Sequence, residues 1–271
     1  MSDATPSTPA PGVDAKAPRA RITAVTSGKG GVGKTFIAAN LAAALAARGE
    51  RVLVLDADLG LANLDVVLNV APKVTLHDVF TGKATLDEAL TEVSGGFTVL
   101  LAGSGMVEYS RLTPEVRDKL IDTLDAVAPR FDHVLLDTGA GISDVVLYTV
   151  SLADEVLVVV TPEPTAMTDA YATIKVLAAS QQRRTIRVVV NQRTAGTEAR
   201  AITTQLQQVV DRYVSPGLDT PLTLDLVGDV PADDSVRDAV RRRQLLNDCF
   251  PGSAAARAVV ALAVRLGRAR G

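Results

Sequence analysis

The chain has 271 residues, 47% apolar and 22% charged, which is enough apolar material for a sizeable core and excludes fibrous and collagen-like classes. Aromatics supply 3% with no tryptophan, and the formal net charge is −3, so base-stacking platforms and a global basic field for nucleic acid are disfavoured. A single cysteine, Cys249, excludes an intramolecular disulfide, no Cys/His cluster has metal-ligand spacing, and the reducing cytoplasm is the expected compartment.

Residues 1–21 carry four prolines with Ser, Thr and Ala and no apolar stretch of the signal-peptide kind, which predicts a disordered tail ahead of one domain over 22–271. Strands are predicted at Ile22 to Thr26, Val52 to Leu55, Thr98 to Ala102, His133 to Leu136, Val156 to Val160, Arg187 to Val190 and Leu226 to Val227. Helices are predicted at Lys34 to Arg48, Pro114 to Val127, Ser143 to Leu152, Met167 to Ala179, Glu198 to Tyr213, Ser235 to Leu246 and Ser253 to Leu266. The alternation is that of repeated βαβ units, with strands apolar on both faces. The expected fold is therefore α/β: a single doubly wound, mostly parallel sheet with helices on both faces and its ligand at the carboxyl ends of the strands. No apolar run nears the ~18 residues that a membrane-crossing helix needs.

The strongest chemical signal is Gly28-Lys29-Gly30-Gly31-Val32-Gly33-Lys34-Thr35, which fits G-x-x-x-x-G-K-[ST] between a predicted strand and a predicted helix. Glycines let the backbone curl its N–H groups around a phosphate, Lys34 supplies charge for the β- and γ-phosphates, Thr35 supplies a hydroxyl for Mg²⁺, and the helix adds its positive end. After the second strand, Asp56 and Asp58 lie two apart and can address one site. Asp137 ends another buried strand ahead of Thr138-Gly139-Ala140-Gly141. Asn191 ends a further strand, where an Asn serves equally as a turn residue or as a donor and acceptor toward a base. Val227 to Asp234 contains Pro231 and Asp233, which suit a Pro turn followed by a helix cap.

The second lysine inside the loop, Lys29, carries a resemblance. Gly-Lys-Gly-Gly-Val-Gly-Lys-Thr is similar to the deviant P-loop of the MinD/ParA ATPases, and Asp58 to Asp65, Asp137 to Asp144 and Thr161 to Tyr171 resemble the flagellar-number regulators of the FlhG/FleN type. The resemblance implies an ATP- and Mg²⁺-dependent homodimer in which Lys29 reaches the partner's phosphates, Asp58 orients the attacking water, and Asp56, Asp137 and Thr35 lie about the metal. It also implies that Asn191 reads adenine, that Pro231 and Asp233 enclose the base, and that a signal-recognition-type flagellar GTPase or a flagellar transcriptional activator is the partner. The expected function is control of flagellar number, placement or gene expression by slow ATP hydrolysis, in the cytoplasm or peripherally at the inner face of the cell membrane. A ParA/MinD-like positioning ATPase on DNA or membrane, and a small-molecule P-loop kinase or ligase, are the alternatives.

Three departures from the family follow. Phe36 stands where the family has a small polar residue beside the α-phosphate, leaving only its backbone N–H. The tail lacks the helical motif through which such regulators stimulate the GTPase. Ser253 to Leu266 is predicted as the last helix of the domain, with Arg257, Arg265 and Arg268 on one side and Val259, Leu262, Ala263 and Leu266 on the other, so core packing and membrane contact compete for it. Arg237 and Arg241-Arg242-Arg243 form the densest basic cluster, but successive helical residues point ~100° apart and cannot make one flat patch for DNA.

Overall fold

The computed structural model describes residues 19–59, 63–103 and 112–267; the predicted tail before residue 19, residues 60–62 of the acidic stretch and Arg268 lie outside the described residues. Eight strands make one sheet: β1 (Arg21–Ser27), β2 (Val52–Ala57), β3 (Leu90–Glu92), β4 (Thr98–Leu100), β5 (His133–Ala140), β6 (Glu155–Val160), β7 (Thr185–Arg193) and β8 (Thr223–Pro231). Their order is β3-β4-β2-β5-β1-β6-β7-β8, and every pairing is parallel except β3 with β4. The expected doubly wound α/β fold is thus present. After β1 the chain winds outward on one side, and from β5 it crosses to β6 on the other, so β1 marks the switch point and the crevice at its carboxyl end is where a ligand belongs.

The helices are α1 (Lys34–Ala46), α2 (Leu64–Leu68), α3 (Leu76–Phe80), α4 (Leu86–Ala89), α5 (Pro114–Val127), α6 (Asp144–Ser151), α7 (Pro164–Ser180), α8 (Ala199–Tyr213), α9 (Asp234–Arg242), α10 (Leu246–Cys249) and α11 (Ala254–Gly267). One core cluster lies under α1, α2, α9, α10 and α11, the other under α3 and α5 to α8. The central strands are buried on both faces, which is why they are runs of Val, Ile, Leu and Ala instead of alternating patterns. Helix α1 is buried along Phe36 to Leu45 because α11 covers the side turned away from the sheet.

Several boundaries differ from the sequence reading, each for a local reason. Ala20 is 2% exposed and Arg21 opens β1, so the last two residues of the predicted tail belong to the fold. Helix α7 starts three residues early because Pro164 takes the first helical position, where its missing N–H is harmless. The predicted Ser235 to Leu246 helix stops at Arg242, because Arg243 turns into the left-handed region (φ 54°) and α10 follows separately. Strand β8 is nine residues long, not two: as an edge strand it keeps Asp225, Gly228 and Asp229, which interrupt the apolar pattern. The short β3, antiparallel to β4, and helices α2 to α4 were not expected. Cys249 is half-buried, with Sγ 3.2 Å from the Leu245 carbonyl.

The apolar side of the terminal helix packs into the fold: Val259, Leu262, Ala263 and Leu266 are each at most 5% exposed, and α11 lies against α1 and β8. At the foot of the sheet the Arg21 guanidinium donates to the Leu266 carbonyl at 2.7 Å, tying the start of β1 to the end of α11. No described helix is long and apolar enough to cross a membrane.

Candidate active site

The loop Gly28 to Gly33 turns from β1 into α1 at the switch point. Gly31 and Gly33 hold φ of +77° and +93°, a region that side chains rarely adopt. Gly28 is required for a different reason: a β-carbon there would lie 2.1 Å from the Asp169 carbonyl oxygen of α7. The loop is held from three directions. The Ser27 hydroxyl donates to the Lys29 carbonyl at 2.8 Å, the Gly141 N–H donates to the Ser27 carbonyl at 2.8 Å, and Asn191 Nδ2 donates to the Val32 carbonyl at 2.8 Å.

Three carboxylates converge beside it. Asp56 and Asp137 are register partners on adjacent strands β2 and β5, 1% and 3% exposed. Asp58 places its N–H 3.3 Å from Asp56 Oδ1, and its carboxyl lies 3.4 Å from where a β-carbon on Gly139 would sit, so both acidic segments meet here. Burial pushes the Asp56 carboxyl up to about 8, reinforced by Asp137. Burial also raises Asp137 to about 6, against the pull of the Thr35 hydroxyl bond and the Lys34 charge. Lys34 is lowered by burial, with Asp137 and Asp58 opposing. Asp56 Oδ2 and Asp137 Oδ1 are buried with no hydrogen-bond partner. Two orphaned carboxylate oxygens beside a threonine hydroxyl suit a hard divalent cation such as Mg²⁺, which takes oxygen ligands and keeps part of its water shell.

That arrangement has a measurable cost. The folded value of Asp56, about 8, lies above the unfolded value near ~4, so the folded state binds the extra proton and its stability falls as pH rises from ~4 to about 8. Asp56→Asn removes the need to take up a proton or bury a charge on folding, and is expected to raise the stability of the nucleotide-free protein at pH 7.5 by about 2 kcal/mol, with a smaller gain at pH 5. Urea unfolding at the two pH values checks it.

Lys29 is on the open side of the loop, its side chain 37% exposed, and its Nζ donates to Glu163 Oε2 at 2.7 Å and Thr165 Oγ1 at 2.9 Å at the start of α7. Neither partner was singled out from sequence, since they lie over 130 residues from Lys29, though both fall within Thr161 to Tyr171.

Beyond Gly33 the crevice continues into a cleft of about 470 Å³ between the loop, the end of β7 and α9, with Phe36, Asn191, Pro231 and Asp233 all on its walls. Asp233 caps α9 by accepting from Ser235 N at 2.9 Å and fastens α11 by accepting from Ala255 N at 3.1 Å, and its carboxylate is held below its usual value by the Ser235 side chain first and by these backbone N–H groups. A larger cavity of about 560 Å³ lies along the β8 edge and holds no predicted site residue; its Arg193 is paired with Asp229 and its Arg265 donates to the Leu226 and Val227 carbonyls. The basic cluster is dispersed: Arg237 and Arg241 pair with Asp234 and Asp238 one turn back, and Arg242 lies over the Phe250 ring.

The ParA family, described as "NUBPL iron-transfer P-loop NTPase", matches residues 19–266. The chain is a ParA-family P-loop NTPase. As a ParA-family member it is an ATPase working with ATP and Mg²⁺, which accords with the glycine cradle and the orphaned carboxylates. This ParA-family chain is 42% identical over 246 residues to the antiactivator FleN of Pseudomonas aeruginosa, covering 91% of this chain and 86% of FleN. It is 34% identical to the flagellum site-determining protein YlxH of Helicobacter pylori over 85% of this chain and 76% of YlxH. Among solved structures it resembles the septum site-determining protein MinD of Pyrococcus horikoshii complexed with Mg-ADP, with a TM-score of 0.72 and 28% identity, covering 92% and 96% of the two chains.

Proposed function

We propose that this chain is a regulatory ATPase switch that dimerises on ATP, resets by slow hydrolysis, and acts by capturing a partner that controls flagellar number, placement or gene expression. The observation that carries the reading is Lys29: the turn is made by the glycines around it, while its side chain, 37% exposed at the mouth of the site, is held by Glu163 and Thr165, which are themselves at the surface. Likeness to FleN and YlxH supports the flagellar role and a transcriptional activator as partner, with a signal-recognition-type GTPase as the second candidate. The reading places the switch in the cytoplasm, at the inner face of the membrane where a partner holds it. Burial of the apolar side of α11 and the pairing of Arg237 and Arg241 with Asp234 and Asp238 favour this reading over direct membrane or DNA contact.

In this reading the backbone amides from Gly30 to Thr35 and the Lys34 ammonium hold the β- and γ-phosphates, Gly28 and Val32 complete the turn, and Thr35, Asp56 and Asp137 are the residues that would hold Mg²⁺. When bound, the ion neutralises charge between the two terminal phosphates. Asp58 positions a water in line with the γ-phosphorus; the new P–O bond forms as the bond to the β-phosphate breaks and ADP leaves. Lys29 from the second copy adds charge where it develops, and closure of the two copies excludes bulk water.

Light scattering after size exclusion, first with Mg-ADP and then with a non-hydrolysable ATP analogue and Mg²⁺, tests the reading: a monomer that becomes a dimer only with the triphosphate supports it, and one mass in both states rejects it. Asp58→Ala is expected to bind ATP normally and lower phosphate release by ~10²-fold or more while trapping the dimer. Unchanged turnover in that variant removes Asp58 from the reaction.

A further inference from the structure

We propose that β8 is a guarded strand-pairing edge: the side chains of Gln207 and Arg265 occupy main-chain groups that would otherwise take a second copy of this chain as an added antiparallel strand. The proposal concerns the third strand out from β1 and does not rest on the ATP-switch reading. Among the described residues the sheet ends in β3, three residues long, on one side and β8, nine residues long, on the other. A short edge offers little to pair with, whereas a long one presents a row of open N–H and C=O groups to any extended chain.

The groups that face outward follow from the pairing with β7. The Thr223 N–H donates to the Arg184 carbonyl at 2.9 Å, so Leu222 and Leu224 on either side of it turn their main chain to the free edge. Gln207 of α8 meets both: its Nε2 donates to the Leu222 carbonyl at 2.8 Å, and its Oε1 accepts from the Leu224 N–H at 2.7 Å. One donor and one acceptor so spaced are what a peptide unit of a neighbouring strand supplies. Asp211 fixes the orientation of the amide by accepting from the same Nε2 at 2.7 Å. Farther along, Val227 is an extra residue in the register, with Leu226 paired to Val188 and Gly228 to Val189. There the Arg265 guanidinium of α11 donates to the Leu226 and Val227 carbonyls at 3.2 and 2.6 Å. The two helices that flank β8 thus each lend a side chain to its edge. The occupant follows from the strand's own sequence. Two copies of β8 related by a two-fold axis through Leu224 set Leu222 against Leu226 and Thr223 against Asp225, so apolar residues meet apolar ones and the two Asp225 carboxylates are not opposed.

The test uses the full chain and its Gln207→Ala, Arg265→Ala and doubly substituted variants, without nucleotide and with Mg-ADP, so that any triphosphate-dependent dimer stays out of the comparison. Urea unfolding checks the fold; both positions are helical and accept alanine readily. Light scattering over a concentration series is expected to show the double variant self-associating with at least ~10-fold higher affinity than the parent, and each single variant with a smaller gain. Hydrogen exchange locates the contact: in the dilute double variant the Leu224 amide exchanges at least ~10-fold faster than in the parent, and it slows again as the concentration rises. A folded double variant that keeps the parent's mass over the whole series, or that associates without slowing exchange at Leu224, would overturn the proposal. If the double variant does not fold, Gln207→Ala alone decides by the same two readouts.

Discussion

Lys29→Ala is expected to leave the protein monomeric with both ADP and a non-hydrolysable ATP analogue, and to lower ATP turnover by at least ~10²-fold while nucleotide affinity changes only a few-fold. The argument is one of accounting for what the side chain touches. Among the described residues Lys29 Nζ bonds to Glu163 and Thr165, at exposed positions. Such an ion pair is worth about 1 kcal/mol at most, so its loss leaves the fold intact. A cation delivered in trans to a transferring phosphoryl group is a different matter, since groups of that kind contribute ~10³–10⁵ to phosphoryl transfer. A normal ATP-dependent dimer of Lys29→Ala in light scattering would sink the assignment. In the proposed reading the lysine leaves Glu163 and Thr165 to reach the second copy's phosphates, and the weakness of that exposed pair keeps the exchange cheap.

The second large effect belongs to Gly28→Ala. The added methyl group would meet Asp169 O at 2.1 Å, Asp169 C at 2.2 Å and Ala170 N at 2.7 Å, all backbone atoms of α7 that no side-chain rotation can move. Either the start of the loop lifts or α7 shifts. The expected cost is about 3 kcal/mol of stability, together with a loss of ADP affinity of ~10²-fold as the amides lose their common focus. Gly30→Ala is the control, because nothing lies within 4 Å of its would-be β-carbon and its φ is not positive; its unfolding midpoint should stay near that of the parent. Urea unfolding and ADP titration of both variants measure the contrast.

Much of this organisation was legible in the sequence because the signals are local. The G-x-x-x-x-G-K-[ST] spacing and the runs of β-branched residues concern neighbours in the chain and lie where they were expected, whereas β2 and β5 run past the predicted Leu55 and Leu136 ends and take Asp56 and Asp137 inside the strands. What was missed depends on distance or on edges. Strand β3 is three residues, Leu-Thr-Glu, too short and polar to carry a pattern, and exists because β4 offers it an antiparallel edge. Helices α3 and α4 are single turns; each follows a capping box, Thr75 with Asp78 and Thr85 with Glu88, and those S/T-x-x-D/E spacings were the signal available. The tether from Asn191 to Val32 and the clasp on Lys29 join residues more than 130 apart, which no local pattern encodes. For Asp233, the helix-cap pattern accounts for the bond from Ser235 N, while the bond from Ala255 N of α11, 22 residues away, was outside any local pattern.

The bond from Arg21 to the Leu266 carbonyl closes the fold into a ring at the end of the sheet farthest from the phosphate loop. The first and last described segments therefore meet at one corner, at the end of the sheet opposite the phosphate loop. A tether or a label joined at either described end is therefore held at the end of the sheet remote from the phosphate loop, so the position of the chain's ends and the geometry of the nucleotide site are set by different parts of the fold.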